Sequence, residues 1–417
     1  VKHYETLLKN WCDELIRLQI RGYGAPHDGG FLCQACTAVH GRADNAVLPF
    51  IYVYDKTGDS KYLEAAQAVV RFQSRLMLSD GALLNDGNNS WKGITVFSLM
   101  MFEHTITAYE SILPADFAEL LKSRLRTMGT WVYETIVPGF GTNINYYAAA
   151  ACCNVMTGQR FGLPEYIARG RELLAYCLER FTENGLLVGE GFLHDEVTKR
   201  GCRPVDIGYD MEESIPCLVD AAELLRDEAT LNKLAVYAVK AMEFMLPDGA
   251  WDNSFGCRNN KWTYYGSRTS DGAAASLIKL SKYEPCLMEA ALRNLELIEA
   301  CSDGKSLYGG LEYRKLGQEP CTHHLFSHGA GLAEALMAAE KVGELSRTPL
   351  PYEDRGDEVK YYPEIDTYRI RKGGFIATVT GYDYKNYTWK NGAAHASGGA
   401  MSLLYHEKTG VILGGST

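Results

Sequence analysis

A glycine-centred turn recurs along this chain at near-regular intervals, and no other feature restricts the fold as strongly. The turns are His27-Asp28-Gly29-Gly30, Ser79-Asp80-Gly81, Val137-Pro138-Gly139, Glu183-Asn184-Gly185, Pro247-Asp248-Gly249 and Ser302-Asp303-Gly304. Counted from the first Gly of each, the steps are 52, 58, 46, 64 and 55 residues. Two helical segments fit between successive turns. The clearest pair begins with apolar Ala46–Val53, breaks at Asp55-Lys56-Thr57-Gly58-Asp59, and resumes with Tyr62, Leu63, Ala66, Val69, Val70 and Phe72 on one helical face. Asp59 or Ser60 suits the N-cap of the second helix. The plan returns in Tyr147–Met156 with Pro164–Phe181, split at Thr157-Gly158-Gln159. It returns again in Glu213–Leu225 with Ala229–Leu246, and in Ala273–Leu280 with Leu287–Cys301. Such a period with two helices per unit means stacked helical hairpins. About six units fit before residue 345. The turns are long, aromatic and unlike one another, which suits a closed double ring of helices better than an open solenoid of near-identical repeats.

After residue 345 the pattern changes. Arg347-Thr348-Pro349-Leu350-Pro351 reads as a linker, since closely spaced prolines end a helix. Tyr368–Arg371, Phe375–Tyr382, Met401–Tyr405 and Gly410–Leu413 alternate or run apolar as strands do. The predicted fold is therefore mainly α: an (α/α) toroid of about six hairpins over 1–346, followed by a partial antiparallel β-domain over 347–417. Three or four short strands do not make a stable sandwich alone. The β-domain is expected to be truncated or completed by packing on the helices.

A chain of 417 residues with 46% apolar and 23% charged residues buries a large core. No apolar run is long enough to span a membrane. The net charge of −10 argues against a nucleic-acid partner but leaves room for an anionic ligand in a locally basic cleft. Most of the twelve cysteines sit in apolar helical patterns and read as small buried hydrophobes. The single C-x-x-C, Cys33 to Cys36, has no second pair at zinc-finger spacing, so no metal site is assigned and no cofactor is expected, with a divalent metal left open. The chain begins at Val1, as a mature or trimmed chain would. A periplasmic or secreted location is expected, with a cytoplasmic one left open by so many thiols.

Several loops carry candidate chemistry. Gly139–Tyr147 places Asn143 and Asn145 at the mouth of an apolar helix, where an Asn serves as an N-cap or aims its carboxamide at a substrate carboxylate. His194 lies in a polar loop, and Tyr209 stands where another inner helix starts. Trp251, Trp262, Tyr264 and Tyr265 lead to Arg268 and Asp271. Aromatic faces with polar tips suit sugar rings, and a guanidinium suits a carboxylate. Trp91 is a further platform candidate. His323, His324 and His328 fall within six residues. His324 and His328 share a helix face but lack the Glu of a metalloprotease motif, so His323 and His324 are assigned to substrate contact. His395 sits in a Gly-rich turn of the β-region.

An Asn at an inner-helix mouth, a Tyr one repeat later and a His in a following β-domain resembles the heparinase II/III and oligoalginate lyase superfamily of polysaccharide lyases. The resemblance implies an (α/α) toroid followed by an antiparallel β-sandwich. It gives Asn145 the carboxylate-neutralising role, Tyr209 the catalytic Tyr and His395 the β-domain His. The Asn145–Tyr209 gap of 64 residues is long for one repeat, and the His395 turn lacks the second His and the Asp usual there.

β-Elimination of a uronoside needs a neutralised C6 carboxylate, a base for the C5 proton and an acid for the departing O4. Asn145 and Arg268 suit the first task. Histidine works as a base at neutral pH, whereas tyrosine needs about 4 kcal/mol of help to do so. His194 is thus assigned as base and Tyr209 as acid. If Tyr209 does both, a nearby cation such as Arg268 must favour its ionised form. The expected partner is an anionic poly- or oligosaccharide. Two alternatives remain: an (α/α)6 glycoside hydrolase of the unsaturated-uronide type, drawing on Asp86, Asp210, Asp252 and Asp271, and a non-catalytic carbohydrate-binding toroid.

Overall fold

The computed structural model describes residues 2–24, 26–86, 90–190, 197–258, 273–311, 313–343, 345–384 and 396–415. Among these residues an inner ring is formed by α2 (Val47–Thr57), α4 (Thr95–Tyr109), α6 (Ile144–Phe161), α9 (Ile215–Leu224), α11 (Ala273–Leu280) and α13 (Thr322–Val342). Each packs on the next, and α13 packs back on α2, so the ring closes. The outer layer holds α1 (Lys2–Leu18), α3 (Ser60–Gln73), α5 (Ala115–Thr135), α7 (Pro164–Leu178), α10 (Glu228–Ala241) and α12 (Cys286–Ala300). The first helix lies against the last, completing the final hairpin.

Sequence decides which layer each helix joins. α4 buries every residue from Thr95 to Glu103, as a helix surrounded by others must. α1 buries only Leu7, Leu8, Trp11, Cys12 and Leu15, one stripe with solvent behind it. Asp59 caps α3 by accepting from Lys61 N at 3.1 Å. The expected break at Thr157-Gly158-Gln159 does not occur; α6 continues to Phe161 and ends at Gly162. Gly158 is instead a contact point, where a Cβ would meet Ile167 Cγ1 at 2.6 Å and hold α7 away.

Three of the recurrent turns have a double cause. Gly29, Gly81 and Gly249 have φ of 94°, 91° and 88°, which an L side chain resists. Each also presses on the middle of a neighbouring outer helix, where a Cβ would strike the carbonyl of Ala68, Thr127 or Arg293. Short β-bridges flank these turns, such as Met77 with Leu83 and Met245 with Trp251. They bring the chain from each outer helix back to the mouth of the next inner one.

Beyond α13 a five-stranded antiparallel sheet runs in sequence order: β1 (Glu358–Tyr362), β2 (Thr367–Lys372), β3 (Phe375–Thr380), β4 (Ala400–His406) and β5 (Gly410–Gly414). β1 was not anticipated. One face packs Ile376, Leu403 and Tyr405 on Leu246, Ala250 and Leu297 of the toroid. A buried ion pair joins the two parts, Arg369 Nη1 to Asp252 Oδ2 at 2.5 Å. Arg369 Nη2 also donates to the Glu243 carbonyl at 2.9 Å. The Tyr382 hydroxyl donates to the Arg203 carbonyl at 2.9 Å. The sheet therefore completes its burial on the helices, and it braces the loops that precede Tyr209. All twelve cysteines are free thiols, ten of them buried. Among the described residues no helix is long and apolar enough to cross a membrane.

Candidate active site

Asn145 lies in the first turn of α6 and is 1% exposed. Asn143, not Asn145, occupies the N-cap position, and its side chain makes no capping bond. This frees the Asn145 carboxamide for other work. Its Nδ2 donates to Glu213, and its backbone N–H donates to Glu190 Oε1 at 3.2 Å. An amide nitrogen carries two hydrogens, and among the described residues one of them is taken, by Glu213.

Tyr209 closes a single helical turn, α8 (Ile207–Tyr209), whose N-cap Asp206 accepts from Tyr209 N at 3.3 Å. A π-helical turn over Asp210–Ser214 follows before α9 begins. Its cause is local: Pro216 lacks an N–H, and the Ile215 N–H reaches back to the Asp210 carbonyl. The wide turn carries Glu213 to Asn145.

Sequence reasoning missed Arg258. Its guanidinium lies 3.7 Å from the centre of the Tyr209 ring. Its Nη1 meets Glu190 Oε2 at 3.1 Å, and its backbone N–H donates to Asp206 Oδ2 at 3.0 Å. Asn145, Glu190, Arg258 and Tyr209 therefore form one connected cluster drawn from three successive repeats. Arg42 extends it, reaching Glu213 Oε1 at 3.9 Å while its guanidinium lies 4.7 Å over Phe97. A cavity of about 90 Å³ beside Glu213 is lined by Arg42, Asn45, Phe97 and Cys217 among others.

Burial and crowding set the charges here. Burial pushes Glu190 up to about 7; Arg258 opposes this, and Asp206 and Glu213 add to it. Burial likewise raises Asp206 to about 6 against the pull of Arg258. Asp210 is driven well above the carboxylate range by burial, then by Glu190 and Asp206. Burial works against the Arg258 charge, yet Tyr209, Glu190, Glu213 and Tyr146 more than restore it. The cluster thus holds a firm cation among carboxyl groups that exchange protons near neutrality.

The predicted residues fall into three groups. Asn145 and Tyr209 come together as described. Trp91 is 36% exposed at the rim and donates from Nε1 to the Tyr146 hydroxyl at 2.8 Å, with Phe140 beside it. Trp251 is 2% exposed and packs in the hydrophobic core. His324 is 8% exposed and packs edge-on against His328. His323 stacks on His40, with ring centroids 4.7 Å apart. Asp252, a candidate acid of the hydrolase alternative, is spent on Arg369. His194, Trp262, Tyr264, Tyr265, Arg268, Asp271 and His395 lie outside the described residues.

Comparison with known families bears on this geometry. Residues 8–353 match the ulvan lyase N-terminal domain, and residues 359–417 match the ulvan lyase C-terminal domain. The chain belongs to the ulvan lyase family. A broad-specificity ulvan lyase of Formosa agariphila is 34% identical over 415 residues, 98% of this chain. The chain spans 65% of that protein's length. Solved structures share the fold at low identity. A sugar epimerase from a ruminal bacterium aligns with TM-score 0.57 and 12% identity, over 81% of this chain and 99% of its own. An unsaturated glucuronyl hydrolase specific for heparin aligns with TM-score 0.57 and 13% identity, over 83% and 99%. These are (α/α)6 toroid enzymes, as the turn spacing predicts for this ulvan lyase relative. The Gly-turn repeat is thus the sequence signature of this family member's ring.

Proposed function

We propose that the protein is a polysaccharide lyase that cleaves a uronic-acid-containing glycan of the ulvan type by β-elimination. The observation that carries this reading is the stacking of Arg258 on Tyr209 within reach of the Asn145 cluster. Asn145 donates its second amide hydrogen to the C6 carboxylate, and a cation beside it spreads the charge that develops when C5 loses its proton. Tyr209 protonates the departing O4 as the C4–O4 bond breaks and the C4=C5 bond forms. The Arg258 guanidinium over the Tyr209 ring is the cation that a Tyr acting as both base and acid needs beside it. That supports Tyr209 taking the C5 proton as well; His194 remains the other base. Trp91 at the rim offers a face for a neighbouring sugar. A polymeric acidic substrate suits action outside the cytoplasm.

The test is the ultraviolet absorbance of the C4=C5 bond during incubation with ulvan and other uronate polymers. A lyase generates this chromophore, an unsaturated-uronide hydrolase consumes it, and a binding toroid does neither. Tyr209→Phe should remove at least about 99% of the rate, in line with loss of a general acid, while retaining polymer binding. Full activity in this variant rejects the assignment.

A further inference from the structure

The C-x-x-C that the site leaves unused is not isolated in three dimensions. A tight loop, closed by a Leu32–Val39 bridge and by Cys33 N–H donating to the Ala38 carbonyl at 2.9 Å, aims Cys33 and Cys36 at a common point. Cys36 Sγ lies 2.9 Å from His40 Nε2, and the ligand atoms of Cys33, Cys36 and His40 all fall within 4.8 Å of one another. The fourth group comes from the far end of the sequence. Cys321, the residue before α13, places its Sγ 3.7 Å from that of Cys33.

We propose that Cys33, Cys36, His40 and Cys321 form a structural zinc site that fastens the first loop of the ring to its last inner helix. Three sulfurs and one imidazole nitrogen are a standard tetrahedral donor set for this ion. Zn–S bonds of about 2.3 Å in a tetrahedron put two sulfurs about 3.8 Å apart, the spacing of Cys33 and Cys321. That spacing is far from the ~2.05 Å of a disulfide. Cys33 and Cys321 are buried whereas Cys36 is exposed, so the site has a closed inner side and an open edge for metal entry. The His40 ring is held by stacking on His323, which fixes its direction. Binding displaces the thiol protons, so the site forms as its cysteines lose them.

The location gives the site its purpose. A ring built from consecutive hairpins has one seam, where the first and last units meet. The loop crosses that seam and then delivers Arg42, which reaches Glu213 and so the Asn145 carboxamide. Zinc here pins one wall of the site from outside the reacting groups.

The experiment measures metal in the full-length purified chain, after dialysis, by mass spectrometry. About one zinc per chain is expected, released when a mercurial titrates the thiols. Cys33→Ser and Cys321→Ser should each lose most of it, whereas Cys286→Ser, half-buried on α12, should keep it. Should the variants misfold, cobalt exchanged into the unmodified protein gives a second readout: visible bands of a tetrahedral thiolate site, with X-ray absorption fitting three sulfurs and one nitrogen. Substoichiometric zinc that dialyses away, cobalt bound only in octahedral form, or a Cys33–Cys321 disulfide found by peptide mapping overturns the proposal. None of these readouts depends on lyase activity, so this site and the proposed reaction stand or fall separately.

Discussion

Two buried charge clusters lie among the inner helices of this ring, and they are built on opposite principles. At the mouth, Glu190, Asp206, Asp210 and Glu213 crowd around Arg258 with Arg42 at the edge, and three of these carboxyls are raised by burial. Farther along the helices, His104, Asp220, Glu223, Lys279 and Glu334 are paired closely. His104 Nδ1 meets Glu334 at 2.7 Å and its Nε2 meets Asp220 at 3.3 Å, while Lys279 Nζ reaches Asp220 at 2.5 Å and Glu223 at 3.0 Å. There burial raises Asp220, but Lys279 and His104 outweigh it and hold its carboxyl well below the usual range. Despite burial, Asp220 and Glu334 lift His104 to about 10. A cluster in which every carboxylate touches a cation holds helices together. A cluster whose carboxyls are raised by burial despite Arg258 and Arg42 keeps protons loosely held, which is what proton transfer needs and what stability does not favour.

The largest effect that could break this contrast is on the reaction. Arg258→Met removes the mouth's central cation but keeps its length. The proposed site then loses charge stabilisation, and the rate should fall by about 10²–10³, the usual cost of one such donor. Steady-state kinetics on a uronate polymer measure it, with circular dichroism expected to match the unmodified protein. A loss under threefold would make Arg258 a packing residue and the mouth no different from the other cluster.

The second effect is on folding. Asp220→Asn leaves His104 and Lys279 facing each other with one carboxylate fewer. Breaking a buried ion pair from one side costs about 3–5 kcal/mol, visible as a large drop in the denaturant midpoint. The kcat of the surviving folded fraction should stay close to that of the unmodified protein. If kcat falls with stability unchanged, the lower cluster is functional and the distinction fails.

How much of this was legible follows the range of each signal. The ring was legible because the hairpins repeat a local message: an apolar inner run, a one-faced outer run and a tight Gly turn, which at Gly29, Gly81 and Gly249 also presses on a neighbouring helix. Gly158 misled because a glycine that lets two helices touch looks, in sequence, like a glycine that ends one. β1 escaped because Val359 and Tyr361 lie on the exposed face and leave little apolar alternation. Asn145 and Tyr209 were visible as polar residues at helix mouths. Arg258 was not, because its place depends on Asp206, Glu190 and Tyr209 from an earlier repeat. Cys33 and Cys321 met only through ring closure, with most of the chain between them. Local chemistry is written locally; partners across repeats are decided by the closure of the ring.

The smallest effect is a pH slope, and it separates the two clusters by window. Glu190 has an ordinary value of 4.5 and sits at about 7 when folded. Between these values the folded state binds more protons than the unfolded one, so stability falls as pH rises through that window. His104 goes from 6.5 to about 10, so its contribution is complete below 6.5 and fades as pH climbs through 10. Asp220 acts oppositely: its contribution is present above its ordinary 3.8 and is lost only as acid carries pH down through its lowered folded value. Urea titrations from pH 4 to 10 should therefore show stability declining in two stages above pH 4.5. Glu190→Gln should flatten the lower stage by a change on the order of 1–3 kcal/mol, and His104→Gln should flatten only the upper one. A single decline that neither variant alters would mean the two clusters do not differ in how they hold their protons.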